Sequence, residues 1–317
     1  MSVSEERRRY RSLVDDSGRW DGIGLRDGDI VIATPAKCGT TWMQMMCALV
    51  VFQTAELPGR LTDLSPWVDV LTVKAEDVHA QVAAQRHRRF MKSHTPLDGL
   101  PFGRLVTYIT VARDPRDVAL SWDDHFRNIN LDVLLDARGE AIGFDDLADL
   151  YPGGLPAVPE DPIERFWRWV EFDDDDDDKI IGLRGLLHHL RTFWDRRDEP
   201  NVLLFHYDDL RADLDGEMRR LSAALGVPVD EAMWPALVQA ATFDEMRTRA
   251  DDLAPQVSID NFWKDTTRFF ESARKDGWRS FVDDAGLARY EARVADLADP
   301  EFAAWVHHGT RSAAGTD

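Results

Sequence analysis

Short runs of β-branched and aromatic residues alternate with amphipathic helical segments along this chain. The pattern predicts strands at residues 29–34, 89–92, 105–112 and 201–206. It predicts helices starting at Thr40 or Thr41 and over residues 73–88, 116–126, 183–196 and 210–225, the helix at 116–126 being preceded by the capping residue Asp114 and by Pro115. Strands separated by helices indicate an α/β fold with a central parallel sheet and helices on both faces.

The chain shows no internal repeat and no Ser/Pro-rich linker, so we expect residues 1–317 to form one domain. A flexible N-terminus of about 1–20 and a flexible tail of about 309–317 are expected at its ends. Residues 128–160 are rich in Gly, Pro and Asp and predict an irregular flap. The six aspartates at 173–178 predict a solvated turn, to which we assign no role.

Composition excludes several classes of protein. With 44% hydrophobic residues the 317-residue chain can fill a core, while 38 Lys+Arg against 58 Asp+Glu give a net charge of −20, which disfavours binding to nucleic acid or anionic lipid. Two cysteines cannot build a disulfide framework, and no Cys/His spacing suits zinc. The longest apolar stretch, 43–52, is about half a membrane span. We therefore predict a cytoplasmic protein without a membrane span, a nucleic-acid partner or a metal.

Ligands of parallel sheets bind beyond the carboxyl ends of the strands, and the first such end is followed by a candidate anion loop. Residues 34–42 join the first strand to a helix N-terminus, whose unpaired N–H groups attract anions. Lys37 adds a charge, Gly39 permits close backbone approach, and Thr40 and Thr41 add hydroxyls. The spacing is not that of a Walker A loop, which argues against an ordinary ATPase. Considered alone, the loop could equally be a capped turn without a ligand.

Two further strand ends carry candidate chemistry. Lys92 and His94 lie two residues apart, so on an extended backbone both point to the same face, and histidine is suited to proton transfer near neutral pH. A lone histidine is more often structural, and the neighbouring lysine strengthens the catalytic interpretation. Arg113 ends the third strand and Ser121 follows about two helical turns later, which predicts a second anion pocket. The alternative is an ion pair of Arg113 with a nearby aspartate.

Together these segments resemble the cytosolic-type sulfotransferases, which use 3′-phosphoadenosine 5′-phosphosulfate (PAPS). The 5′-phosphosulfate loop of that family is matched by residues 36–42, its Lys-Ser-His segment by 92–94, and its 3′-phosphate pair by Arg113 and Ser121. Weaker similarity runs from about residue 25 to 281. The resemblance also implies that Trp42, Tyr207, Thr242 and Phe243 lie at the adenine of the nucleotide.

Two departures from the family pattern matter. Cys38 stands where the family most often has serine, which removes a hydroxyl donor but keeps the backbone N–H in the phosphosulfate loop. The second 3′-phosphate element, Arg-Lys-Gly in the family, has no ungapped match here. Either a shifted loop supplies Arg274 and Lys275, or Arg113 and Ser121 carry more of the 3′-phosphate.

The resemblance implies a P-loop-NTPase-like three-layer architecture and in-line transfer of a sulfuryl group from PAPS to a hydroxyl or amine of a small-molecule acceptor. His94 would act as general base, Lys37 and Lys92 would neutralise the leaving phosphate, Ser121 would hold Lys37 away from the bridging oxygen until the acceptor arrives, and no metal would be needed. The acceptor is left open by the sequence, as is the oligomeric state, for which a homodimer is one option. The alternatives are another P-loop-like transferase or kinase and a non-catalytic nucleotide-binding protein.

Aromatic residues are the candidates for an apolar acceptor pocket. Those considered are Trp122, Phe126, Trp167, Trp169 and Phe262.

Overall fold

The fold is built on a parallel sheet. The computed structural model describes residues 7–155, 157–173, 180–255, 259–270 and 275–310. In these ranges the sheet has strands β1 (Ile30–Ala33), β2 (Phe90–Ser93), β3 (Thr107–Ala112) and β4 (Val202–His206), in the spatial order β2-β1-β3-β4. Ile30 pairs with Phe90 on one side and with Thr107 on the other, and all pairings are parallel. The four predicted strands are confirmed, each end lying within about two residues of the prediction.

Helices connect and cover these strands. The α-helices of the described ranges are α1 (Thr40–Phe52), α2 (Leu61–Leu64), α3 (Ala75–Ala84), α4 (Pro115–Asn128), α5 (Leu131–Ile142), α6 (Leu147–Leu150), α7 (Pro162–Glu171), α8 (Gly182–Trp194), α9 (Tyr207–Ala212), α10 (Leu214–Leu225), α11 (Trp234–Ala240), α12 (Phe243–Thr248), α13 (Ala250–Leu253), α14 (Asp284–Leu297) and α15 (Pro300–His308). Short 3₁₀ helices lie at Ser17–Gly22, Leu97–Gly99, Thr267–Phe270 and Gly277–Ser280.

Both faces of the sheet are covered, because alternate side chains of each strand point to opposite sides. Ile30 and Ile32 of β1 belong to an apolar cluster with buried residues of α1, α10 and α11. Val31 and Ala33 belong to a second cluster that includes Phe193 of α8. The predicted α/β architecture with helices on both faces is thereby confirmed.

Two predicted segments differ from the structure. Residues 128–160 are not irregular throughout, since they contain α5 and α6; the charged residues of α5 obscured its helical pattern. The helix predicted over 210–225 is two helices, because the Asp213 carboxylate accepts a hydrogen bond from Gly216 N and so starts α10 anew.

The N-terminal segment, residues 7–20, packs against the body of the protein. Tyr10 and Trp20 are buried, Tyr10 Oη donates to Asp98 Oδ1 at 2.8 Å, and Asp16 N donates to Asp69 O at 2.8 Å. This part of the segment that we expected to be flexible thus forms fixed contacts. Residues 1–6, most of the aspartate run and the tail from 311 onward lie outside the described residues.

Candidate active site

One cavity of about 840 Å³ opens where the four strands end. It is lined by most of the predicted site residues: Lys37, Gly39, Thr40, Thr41, Trp42, Lys92, His94, Arg113, Ser121, Tyr207 and Phe243. The parallel sheet brings them together, because the loops that follow β1, β2, β3 and β4 all leave the same edge. The remaining predicted residues, Cys38, Thr242, Arg274 and Lys275, are treated separately below.

The loop after β1 has the backbone of an anion site. Gly39 has a φ of 104° and is the N-cap of α1, and Lys37 has a φ of 68°. A side chain at position 39 would bring a Cβ within 3.1 Å of Tyr207 Cδ2, so glycine is required twice over, for its conformation and for the close approach. No side chain caps α1, so its first N–H groups remain available to a ligand.

Cys38 faces away from the cavity. Its side chain is fully buried in the apolar cluster of α4, α7 and α8, and burial raises the pKa of its thiol to about 12. Its N–H donates to Pro35 O at 3.3 Å. The Cys38 side chain therefore packs beneath the loop.

Lys37 enters the cavity between two aromatic neighbours. Its Nζ lies 3.4 Å from His125 Nδ1 and 4.3 Å from the centroid of the Phe269 ring. Burial, together with the positive charges of Arg113 and Lys92, lowers the pKa of Lys37 to about 7. The group is thus poised to gain a proton when an anion binds.

His94 is held in one tautomer. Its Nδ1 lies 2.8 Å from the carbonyl oxygen of Thr34, and because a carbonyl can only accept, Nδ1 carries the proton. Nε2 then has a free lone pair. Burial, followed by the charge of Lys92, holds the pKa of His94 well below its usual range, so the ring is neutral near pH 7. A neutral imidazole with an unprotonated Nε2 is the form that a general base requires.

The turn beyond β2 is fixed by the buried carboxylate of Asp69. Lys92 Nζ lies 3.9 Å from the centroid of the Trp67 ring. Burial lowers the pKa of Lys92 to about 8, while the negative charges of Asp69 and Asp15 oppose the shift. Asp69 Oδ2 accepts from Ser93 Oγ and from Thr95 Oγ1, each at 2.6 Å, so it orients the residues on both sides of His94.

One end of the cavity contains Arg113, Tyr207 and Trp42. Arg113 donates from Nη1 to the Lys37 carbonyl at 3.0 Å, and its guanidinium lies 4.5 Å from the centroid of the Tyr207 ring. Trp42 packs edge-on against Tyr207 at 5.2 Å and donates from Nε1 to Ala241 O at 2.8 Å. Two aromatic rings and a guanidinium thus adjoin the anion loop, a combination suited to a nucleotide base and its phosphates.

Two of the predicted nucleotide-binding residues lie off the cavity wall, and a third is not described. Thr242 is the N-cap of α12, its hydroxyl donating to Gln239 O at 2.8 Å, and it does not line the cavity. Lys275 is half exposed, also lies off the cavity wall, and donates to Asp208 Oδ2 at 2.8 Å. Arg274 lies outside the described residues.

Much of the remaining cavity wall is apolar. Of the aromatic candidates, Trp122, Phe126, Trp169 and Phe262 line it. Trp167 does not, because its ring packs against the Arg289 guanidinium at 4.1 Å.

Residues that sequence reasoning missed include His125, Trp67, Asp15 and the cavity-lining His189. His125 could have been found from its spacing, since it follows Ser121 by four residues on a predicted helix and therefore shares its face. The others come from distant segments and carry no local signal.

Within the described residues, no cluster of three or more His, Cys, Asp or Glu side chains could hold a metal ion. Across the same ranges, no helix is both long and apolar enough to cross a membrane.

Comparison with known proteins identifies the family of the chain. Residues 27–298 match the model of the sulfotransferase domain family. The chain is 41% identical to glycolipid sulfotransferases of Mycobacterium bovis and Mycobacterium tuberculosis over 310 residues, which is 95% of this chain and 94% of each relative. It is 25% identical over 256 residues to an amine sulfotransferase of Oryctolagus cuniculus, covering 79% of this chain and 72% of that relative.

Solved structures share the fold. Retinol dehydratase in complex with retinol and PAP matches with a TM-score of 0.67 at 18% identity, over 90% of this chain and 87% of that one. A mouse sulfotransferase complexed with PAP matches with a TM-score of 0.65 at 16% identity, over 92% of each chain. The chain belongs to the sulfotransferase family, which confirms the predicted class, a PAPS-dependent sulfotransferase with the P-loop-like fold.

Proposed function

We propose that this sulfotransferase transfers the sulfuryl group of PAPS to a hydroxyl of a lipid that carries a carbohydrate head group, with His94 as general base. The acceptor oxygen attacks sulfur as the bond from sulfur to the bridging oxygen breaks. The acceptor proton passes to His94 Nε2, and adenosine 3′,5′-bisphosphate leaves. A sulfate ester and the bisphosphate are the products.

The observation that carries the proposal is the hydrogen bond from His94 Nδ1 to the Thr34 carbonyl. It fixes the tautomer with a lone pair on Nε2, in a residue that lines the cavity beside Lys92. An imidazole held in this way can accept a proton without first losing one.

Charge on the leaving phosphate needs neutralising as the bond breaks, and the residues around the loop can supply this. Lys37 and Lys92 would gain full positive charge when the donor binds, because an adjacent anion raises the pKa of each lysine. The N–H groups at Gly39, Thr40 and Thr41 would add donors at the start of α1. Lys37 would approach the bridging oxygen, and Ser121, as predicted, would hold it back until the acceptor arrives.

Residues at the other end of the cavity would bind the 3′-phosphate and the adenine of the donor. We assign the 3′-phosphate to Arg113 and Ser121, and the adenine to Trp42, Tyr207 and Phe243. Contacts from Cys38, Thr242, Arg274 and Lys275 stay predictions.

The acceptor class rests on the relatives and on the cavity. Proteins 41% identical to this chain are named glycolipid sulfotransferases. The largely apolar wall that includes Trp122, Phe126 and Phe262 supports an acceptor with an alkyl portion.

Three further parts of the proposal concern the whole protein. We propose one domain, because strands and helices share apolar clusters across the sheet. A reducing compartment such as the cytoplasm is supported by Cys38 and Cys47, both buried free thiols. The net charge of −20 supports a small-molecule partner rather than nucleic acid, and a homodimer remains one option.

Thermal unfolding with different nucleotides tests the donor. At a hundredfold excess over its dissociation constant, adenosine 3′,5′-bisphosphate should stabilise the protein by about 2.7 kcal/mol. ATP with Mg²⁺ should stabilise it far less, since the loop lacks Walker A spacing. A preference for ATP with Mg²⁺ would favour a kinase-like enzyme instead. Labelled PAPS incubated with dodecyl glucoside should yield a labelled lipid, and donor binding without any transfer would favour the non-catalytic alternative.

A further inference from the structure

The cavity carries polar groups beside His94 and an apolar opening elsewhere on its wall. Ser12, Asp15 and Thr72 line it together with Lys92 and His94. Asp15 belongs to the N-terminal segment and is anchored by an isolated antiparallel bridge to Val70. Its Oδ1 accepts from Ser12 Oγ at 2.7 Å. A carboxylate and a hydroxyl, fixed by backbone pairing, therefore face the space next to the base.

The charge of Asp15 is coupled to the reacting centre. Burial and the negative charge of Asp69 raise the pKa of Asp15 to about 7, while Ser12 and Lys92 act in the opposite direction. The carboxyl thus lies near Lys92, which in turn lowers the pKa of His94. A hydroxyl close to the attacking one on the same acceptor would come within reach of Asp15. Hydroxyls are good partners for a buried carboxylate.

The stretch of chain from α4 to the start of α7 forms the apolar opening. Phe126, Leu131, Leu155 and Val158 line the cavity, yet they are 39%, 37%, 45% and 53% exposed to solvent. Side chains that both line a cavity and face solvent form its mouth. Ile142, Phe144 and Ile163 are also exposed and belong to the same stretch of chain. An apolar mouth in water is stabilised by an alkyl chain that passes through it.

We propose that the acceptor is an amphiphile whose hydroxylated head group is bound by Ser12 and Asp15 beside His94 and whose alkyl chain leaves through the mouth formed by Phe126, Leu131, Leu155 and Val158. The inference rests on the proposed function and adds the orientation of the acceptor. It makes Asp15 a specificity residue for acceptors with more than one hydroxyl. The mouth then determines how the affinity for the acceptor depends on the length of its alkyl chain.

The head-group contact is tested with Asp15→Asn and two acceptors of equal chain length, dodecyl glucoside and dodecanol. At pH 8, where a carboxyl with a pKa of about 7 is mostly ionised, loss of a hydrogen bond to this charged group should lower the ratio of kcat/KM for the glucoside to kcat/KM for the alcohol by about tenfold or more. The ratio is the decisive quantity, because any effect of Asp15 on Lys92 acts on both acceptors alike. An unchanged ratio overturns the head-group assignment, even if both acceptors are sulfated.

The mouth is tested with a series of alkyl glucosides of increasing chain length. The wild-type KM should fall by roughly three- to fourfold for each methylene that the mouth covers. In the double variant Leu155→Asp with Val158→Asp this dependence should flatten, while the KM of the shortest glucoside stays nearly constant. Leu105→Asp is the matched control, because Leu105 is 64% exposed and lies outside the cavity lining; it should leave the dependence intact.

Three outcomes separate the inference from the proposed function. A KM independent of chain length, or an equal loss in the Leu105 control, overturns the mouth as the exit of the alkyl chain. Preference for a compact phenol over every glucoside overturns the amphiphile but leaves sulfuryl transfer by His94 standing. Absence of transfer to any acceptor overturns both.

Discussion

Donor binding should weaken steeply as the pH rises above about 7, because the anion site depends on two buried lysines. Burial lowers the pKa of Lys37 to about 7 and that of Lys92 to about 8, from 10.5 in each case. In the unliganded enzyme at pH 8, only about a tenth of Lys37 is protonated. A bound bisphosphate favours the protonated form of both lysines, so binding above pH 7 takes up protons from solution.

The magnitude follows from these two pKa values. Each lysine that must be protonated adds about one to the slope of log Kd against pH once the pH exceeds its pKa. The slope should therefore approach one between pH 7 and 8 and two above pH 8, which amounts to a several hundredfold rise in Kd between pH 7 and 9. The phosphates of the ligand titrate near pH 6, so their charge hardly changes in this window.

The same shift acts on stability with a definite sign. A base whose pKa is lowered in the folded state binds fewer protons there than in the unfolded chain. Because of Lys37, the free energy of unfolding of the unliganded enzyme should therefore increase as the pH rises from about 7 towards 10.5.

Isothermal titration calorimetry with adenosine 3′,5′-bisphosphate measures these effects directly. Titrations at pH 7, 8 and 9, each in two buffers of different ionisation enthalpy, give both Kd and the number of protons taken up. Lys37→Arg is the control, because a guanidinium stays charged throughout this range and should reduce the slope by about one. A Kd that is constant from pH 7 to 9, without proton uptake, would refute the reasoning.

Two substitutions test the packing that supports the site. Gly39→Ala should cost about 1–2 kcal/mol of unfolding free energy and lower bisphosphate affinity about tenfold, because φ is 104° and the new Cβ would lie 3.1 Å from Tyr207 Cδ2. Gly24→Ala is its control, since a Cβ there meets nothing within 4 Å, and equal effects in both variants would contradict the role of Gly39. Arg138→Met should lower the free energy of unfolding in urea by about 2–3 kcal/mol, because the fully buried guanidinium donates to the carbonyls of Leu13 and Gly143 and pairs with Asp146 at 2.7 Å, and these acceptors lose their partner. A loss below about 1 kcal/mol would show that this pair contributes little.

The sheet could be predicted from the sequence because its strands are buried on both faces. Such strands appear as continuous β-branched and aromatic runs, as at 105–112, and their parallel order follows from the helices between them. The prediction of an irregular flap at 128–160 was wrong for the opposite reason, namely that the helix in this stretch is poorly buried. Helix α5 has most of its residues in contact with solvent or only half buried, and its apolar periodicity is weak.

The site was predictable to the extent that it lies at strand ends. Lys37, His94 and Arg113 follow three strands that the pattern identified, and a parallel sheet gathers such residues at one edge. Asp15 and Phe269 line the same cavity from segments far apart in the chain, so only the tertiary structure brings them there. The tautomer of His94 also depends on a contact, with Thr34 O, that no spacing along the chain encodes.

Turnover of His94→Ala tests the central claim, that His94 takes the acceptor proton during sulfuryl transfer. With labelled PAPS and dodecyl glucoside, we predict a kcat lower by roughly 10²- to 10⁴-fold and a Kd for adenosine 3′,5′-bisphosphate within about threefold of wild type. His308→Ala, at an exposed histidine on α15, should leave both quantities unchanged. A wild-type kcat in His94→Ala, with donor binding intact, would contradict the account.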